Sequence, residues 1–285
     1  MLKIPTLLLA ALAATAPLSL QAQIKTAAPS PASELKQTVG VTDFTVVYSR
    51  PSVKDREIFG ALVPYDTVWR TGANAPTKIA FDSEVTFGDK KVPAGEYVLF
   101  TIPGKDKWTV ILYGDAKVAN AGLYDEKNDV ARITVDPIEL KSPVESFTIG
   151  FDNLRDDSAT LFLDWDGVRV PVPITINTKA LSAASIEASM KSMDSWTARD
   201  YASAANFYAE NGQDLGQATA WMKKATEMNK DAFWWQYAYA ELLSKDGKTK
   251  EAKAAAEQAL ATAKAAPGGA SGYVERTQAL LAELQ

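Results

Sequence analysis

Two different patterns in one chain predict an α+β protein in two domains: an antiparallel β-sandwich or jelly roll, then an all-α domain of tetratricopeptide-like helical repeats. Three observations carry that expectation. From about Ser33 to Thr178, short apolar and β-branched runs alternate with Gly, Pro and Asp turns, and no helical period intervenes. Past Lys179 there is no proline until Pro267, alanine dominates, and apolar residues recur at spacings of three and four. The length of 285 residues is long for one core and comfortable for two.

In chain order, residues 1–22 come first. Lys3, an apolar run from Ile4 to Leu18 and small or polar residues at Ser19 to Gln23 have the three-part layout of a secretory signal, cleaved near Ala22. The run is too short for a membrane span, and no later stretch approaches the roughly 20 apolar residues that one needs. Residues 23–32 read as a flexible, low-complexity spacer. The mature protein is expected to be exported, periplasmic or secreted. With no cysteine its core must hold without disulfides.

The β domain, residues 33–179, is expected to place strands at Phe44–Tyr48, Thr77–Phe81, Val85–Phe87, Tyr97–Ile102, Trp108–Tyr113, Arg132–Val135, Ser146–Phe151, Thr160–Trp165 and Val168–Ile176. Turns are expected at Gly88-Asp89, Pro93-Ala94-Gly95, Pro103-Gly104-Lys105-Asp106, Asp136-Pro137 and Asp166-Gly167. Pro171 and Pro173 mark the last strand as an edge, because proline cannot donate to a ladder.

In residues 180–285, breaks at Asn211-Gly212, Lys245-Asp246-Gly247 and Pro267-Gly268-Gly269 separate the helices, with Asp214 and Thr249 as N-caps. A shift of 34 residues lays Tyr201 on Trp235, Ala204 on Ala238, Tyr208 on Leu242, Ala218 on Ala252 and Ala225 on Ala259. That period, with small residues where helices cross, is the tetratricopeptide pattern. The helix from Leu181 to Met193 reads as half of an earlier unit, and Tyr273 to Leu284 as a terminal cap. An alanine-rich bundle of five or six unrelated helices is the alternative. The aromatic stripe Phe233, Trp234, Trp235, Tyr237, Tyr239 reads as packing between helices, with a partner-binding surface as its alternative.

Composition removes whole classes of function. Hydrophobic residues at 47% and charged residues at 23% exclude a disordered or fibrous chain. With no histidine and no cysteine there is no Ser-His-Asp triad, thiol nucleophile, iron–sulfur cluster or thiolate zinc site. A net charge of -5, acidic in both halves, argues against a nucleic-acid partner.

One region is denser than sandwich sequence requires: VYSRPSVKDREIFGALVPYDTVWRTGANAPTK, from Val47 to Lys78. Arg50, Arg56, Arg70 and Trp69 can form a planar surface for a carboxylate, phosphate or sugar, and Thr71 to Asn74 can present main-chain N–H groups to an anion. The candidate ligand-binding set is therefore Arg50, Arg56, Trp69, Arg70, Thr71 and Asn74. The same residues also fit a clamp, in which Arg50 and Arg70 pair with Asp43, Asp66 or Glu57 over a buried Trp69.

The strings GVTDFTVVYSRPS, RxIFGALVPY, WRTGANAPT and PAGEYVLFTIPGKDKWTVIL, with ESFTIGF and LDWDGVRVPVPI later, resemble the bacterial family DUF2911 over about Ser30 to Thr178. The helical tail is similar to tails of longer members in its ARDY, ENGQDLGQATAWMKKATEMN and FWW strings. Pro76 and Asp55 depart from the pattern. The resemblance implies an exported β domain and no defined activity.

The acidic turns Asp152–Asp157 and Asp164–Gly167 lack a calcium-loop frame and read as solvated turns, so no metal and no cofactor is expected. Two functions from different classes follow. The first is a non-enzymatic binding or scaffold protein, its β domain holding a glycan or peptide and its repeats docking a protein. The second is an envelope carbohydrate hydrolase or lyase working through carboxylate, Tyr or Arg. The absence of a recognisable nucleophile with its base favours the first.

Overall fold

A computed structural model describes residues 26–267 and 270–285, so the expected leader, the spacer through Lys25, Gly268 and Gly269 lie outside the described residues. β-branched and aromatic runs build ten strands: β1 (Ala32–Val39), β2 (Thr42–Ser49), β3 (Thr77–Phe81), β4 (Val85–Phe87), β5 (Lys90–Val92), β6 (Gly95–Ile102), β7 (Trp108–Tyr113), β8 (Asp129–Val135), β9 (Ile138–Asp152) and β10 (Ser158–Ile176). Helices follow: α1 (Thr178–Ser189), α2 (Ala198–Glu210), α3 (Leu215–Met228), α4 (Phe233–Lys245), α5 (Thr249–Ala265) and α6 (Ser271–Glu283). The fold is α+β.

The strands form two sheets, ordered β1-β2-β3-β6-β7-β8 and β5-β4-β10-β9, antiparallel at every pairing. Alternation in β2 turns Phe44, Val46 and Tyr48 inward. They share one core with Ile79, Leu99 and Val110 of their own sheet and with Phe87, Leu161, Leu163 and Val172 of the other. β6 does not alternate, because both of its faces are covered. Val98, Phe100, Ile111 and Tyr113 form a smaller core on the far side of the sheet, with Val118 and Tyr124 of the β7–β8 connection.

Two expectations are corrected, and two strands appear that none had covered. β1 and β5 had no sequence forecast: β1 buries only Val39, so its inward period is faint, and β5 is three residues paired to β4 across Gly88-Asp89. No turn forms at Asp166-Gly167. β10 runs straight through, and its register against β9 slips on both sides of Asp166, so the polar pair is absorbed as a bulge. β10 lies between β4 and β9 rather than at an edge. Its prolines survive there because the β9 ladder ends at Arg169↔Ile138 and the β4 ladder begins at Ile174↔Phe87. Between them Pro173 needs only its carbonyl, which accepts from Gly88 N.

Helix starts follow their caps. Asn177 opens α1 by accepting from Ala180 N, three residues before the expected start. Thr197 and Asp200 close a capping box on α2, and Asp214 caps α3 through Gln217 N. Thr249 is the first residue of α5, after Lys248, which makes no side-chain cap bond. Trp196, Ala204, Ala218, Trp221 and Ala225 form one helical core, and Ala240, Leu243, Ala252, Ala256 and Leu280 another. Of the aromatic stripe, Trp235, Tyr237 and Tyr239 pack against these cores, while Trp234 stays 40% exposed.

α1 is seated on the β region. Its Leu181 packs against the main core, and Thr178 Oγ1 donates to Asp156 O. Gly40 turns β1 into β2 at φ 57, and a Cβ there would run into Asp156 O and Thr178 Oγ1.

Candidate functional site

The segment between β2 and β3 closes one end of the two sheets. It leaves beside β9, where Val53 N donates to Glu145 O and Phe147 N to Pro51 O, and returns along β6, where Trp69 and Thr101 exchange both main-chain hydrogen bonds at 2.7 and 3.0 Å. Beneath it Trp69 stacks on Trp165 at 5.7 Å and 16° and meets Phe59, Trp108 and Phe147 edge-on. Five aromatic rings thus plug the open end of the core, and the Trp69 Nε1–H donates to Gly72 O.

Most of the polar groups that nominated this loop are spent on the chain. Arg50 Nε donates to Phe147 O at 2.9 Å and its Nη2 to Thr148 Oγ1 at 2.7 Å, tying the end of β2 to β9. Arg56 is exposed but curls back onto Val53 O and Ser52 O. Thr71 is fully buried, its hydroxyl shared with Thr101 Oγ1 and its carbonyl taken by Thr77 Oγ1. Asn74 bridges Ser30 O and Ser49 Oγ through Nδ2. Arg70 is exposed and makes one long contact, to Asn74 O at 3.3 Å. Among the described residues neither Arg50 nor Arg70 pairs with Asp43, Asp66 or Glu57, which corrects the partners the clamp reading supposed. Arg70 and Asn74 meet above Trp69, while Arg50 faces β9 and Arg56 its own turn.

The loop's strain serves these bonds. Thr71 and Asn74 sit at φ 55 and 60, conformations that cost a non-glycine residue about 1–3 kcal/mol and are kept where the surroundings fix them. Gly72, at φ 145, approaches Ser49 O so closely that a Cβ would touch it.

An opening lies elsewhere, where the helices meet the β region. A cleft of about 650 Å³ is bounded by Val41, Asp82 and Ser83 on one side and by α1, α2 and the 3₁₀ turn between them on the other. Its helical wall carries Ser182, Ser185, Ser189, Ser192, Ser195 and Ser203, its floor is Leu181, Ile186, Trp196, Ala204 and Phe207, and Asp82 and Asp200 stand on opposite sides. Among the described residues no Lys or Arg lines it. Asp200 accepts from Thr197 N and Oγ1 through one oxygen; those bonds, the hydroxyl's first, lower its pKa, with Arg199 adding a little. The spacing of 182, 185, 189 and 192 was visible as a helical stripe. The wall facing it was not, since Asp82 comes from a turn a hundred residues earlier.

Two other charged clusters are closed. Tyr124 OH donates to the Asp129 carboxylate at 2.8 and 2.9 Å and accepts from Arg132 Nη2. Burial, then Asp129, pushes the Tyr124 phenol up to about 12, and burial raises Asp129 despite its hydrogen bonds. Asp164, in one of the acidic turns weighed for calcium, is buried and gripped by Arg169 at 2.7 and 2.8 Å, with that guanidinium lying over Phe162.

A β region of two antiparallel sheets ending in helices defines the class. The chain belongs to the DUF2911 family, described as a protein of unknown function, whose model matches residues 30–174. The match stops inside β10, so the helices and most of the cleft fall beyond it. No curated protein and no solved structure matches the chain.

Proposed function

We propose that the protein is an exported, non-enzymatic binding protein, with its ligand site in the cleft between the β region and the helices. The carrying observation is an opening of about 650 Å³ lined by seven serines and two carboxylates, within the size range of small-ligand sites and at the kind of junction where they form. Export is supported by the three-part leader pattern of residues 1–22. Two sheets facing across one core support a sandwich. The 34-residue period supports tetratricopeptide-like repeats, because its paired alanines are buried alike: Ala218 and Ala252 at 0%, Ala225 at 0% and Ala259 at 1%. Such repeats would dock a protein partner.

Binding is favoured over bond breaking because a serine nucleophile needs an adjacent base. In the cleft Ser189, Ser192 and Ser195 donate instead to carbonyls of their own helix. Arg70 remains as an exposed cation for an acidic glycan or peptide.

Native mass spectrometry of the full chain, purified from the exported fraction of a bacterial host, tests the site. A small molecule retained by the native protein and lost in Ser185→Lys is expected. Retention in both, or in neither, overturns the cleft as the site. N-terminal sequencing of that sample should begin near Gln23, and an intact Met1 there overturns the processing.

A further inference from the structure

We propose that the cleft takes a linear aliphatic polyamine, a methylene chain bearing ammonium groups near both ends; the assignment rests on the cleft being the ligand site. Charge is the first argument. Asp82 gives one carboxylate oxygen to Asp43 N and Asp200 one to Thr197. The second oxygen of each has no protein partner among the described residues. Two half-used carboxylates, one on each wall, line a cleft without a lining cation among the described residues. An anionic ligand would meet like charge on both walls, while a dication meets one opposite charge on each.

Hydrogen-bond sense is the second argument. Ser189, Ser192 and Ser195 have spent their hydroxyl protons on the carbonyls of Ser185, Ser189 and Ser192, and the Ser83 and Thr42 hydroxyls bond to each other, with either able to donate. Ser182, Ser185 and Ser203 make no side-chain hydrogen bond among the described residues and can serve in either sense, while Ser189, Ser192 and Ser195 face the cleft chiefly as acceptors. An ammonium group carries three donors and no acceptor, so it complements them as a carboxylate, phosphate or ether cannot. The third argument is the floor. Leu181, Ile186 and Phe207, with Val41 at the rim, offer apolar surface to a methylene chain between the carboxylates, and the Phe207 ring also tolerates a nearby cation.

The test is calorimetric titration of the full mature chain at low salt with spermidine, butylamine and maltotriose. Spermidine should bind at one site, at least about tenfold tighter than butylamine, the factor that one additional charge contact of about 1.4 kcal/mol supplies. Asp82→Asn should cost spermidine roughly tenfold. Ser185→Lys, at an exposed helix position, should abolish binding with the melting curve unchanged. Failure of spermidine to bind, equal affinity for butylamine, or full affinity in both variants overturns the polyamine assignment. If maltotriose binds and Ser185→Lys removes it while spermidine fails, the assignment falls and the cleft stands as a site for a neutral ligand. If neither probe binds, the assignment falls, and the retained-ligand measurement alone decides the cleft.

Discussion

The β2–β3 loop and the serine cleft are both rich in polar side chains, and they use them in opposite ways. In the loop Arg50, Thr71, Asn74 and the Trp69 indole are bonded to β9, β6, Ser30, Ser49 or the loop itself. In the cleft Ser189, Ser192 and Ser195 bond only within their own helical wall and Ser83 bonds to Thr42, while carboxylate oxygens are left over on both walls. A loop of 27 residues between β2 and β3, Arg50 to Pro76, must satisfy its own main chain while sealing aromatic core. Unusual residues crowded into such a segment reflect that demand. Unspent hydrogen-bonding capacity facing open volume is the better mark of a ligand site.

The largest expected effect breaks the comparison if it fails. Trp69→Ala removes a ring stacked among four others, and such truncations cost about 3–5 kcal/mol. At roughly 2–4 °C per kcal/mol the melting point should fall by about 10 °C or more, read by near-UV circular dichroism. A fall of only a degree or two would make Trp69 a surface platform and return the loop to the list of sites.

Arg50→Ala should come next. It removes two charge-assisted hydrogen bonds and leaves the Phe147 carbonyl without that donor, a loss of about 2–3 kcal/mol in chemical denaturation. Arg50→Lys should recover only part, because an ammonium cannot span both acceptors as the guanidinium fork does.

A smaller effect is expected in alkali, because the closed Tyr124 network behaves like the loop. Burial first, and then Asp129, lift Tyr124 to about 12; burial first, and then Glu241, lift Tyr237 to about 12. The folded state holds protons that the unfolded state releases near 10. The stability they confer is therefore complete below pH 10 and lost as pH rises toward 12. Solvent screening of these half-buried rings keeps the loss modest. Tyr124→Phe should flatten the alkaline slope in denaturant titrations; an unchanged slope would show that the network is open.

How much of this was legible in sequence follows from how local each signal is. Thr77–Phe81, Val85–Phe87 and Trp108–Tyr113 were read to the residue, because alternation and flanking turns lie within a few positions. β1 was not, since strand pairing with β2 rather than its own composition forms it. Asp166-Gly167 has turn chemistry, and Asp166 keeps the left-handed backbone of a turn at φ 51, yet partners on β9 continue on both sides of it, so tertiary pairing converts the turn into a bulge within the strand. At the loop the residue types were legible and their partners were not. Arg50 finds a carbonyl and a hydroxyl 97 and 98 residues away, whereas the local sequence offers carboxylates as its nearest partners. The cleft was invisible because its walls come from two parts of the chain with different periodicities.

The smallest expected effect sharpens the comparison most. Arg70 sits in the loop but behaves as cleft residues do, exposed and held by a single 3.3 Å contact to Asn74 O. Exposed substitutions away from caps and special backbone positions usually stay within about 0.5 kcal/mol, so Arg70→Ala should shift the melting point by no more than a degree or two. Its charge acts outward, so capture of the protein on an anionic resin at low salt, at a pH below its isoelectric point near 5.0, should weaken in the variant, and added salt should erase the difference. If Arg70→Ala instead melts as early as Arg50→Ala, Arg70 belongs to the clamp and the loop has no ligand-facing group left. If stability and resin binding are both unchanged, Arg70 is a solvated rim charge, and the division between a spent loop and an unspent cleft becomes complete.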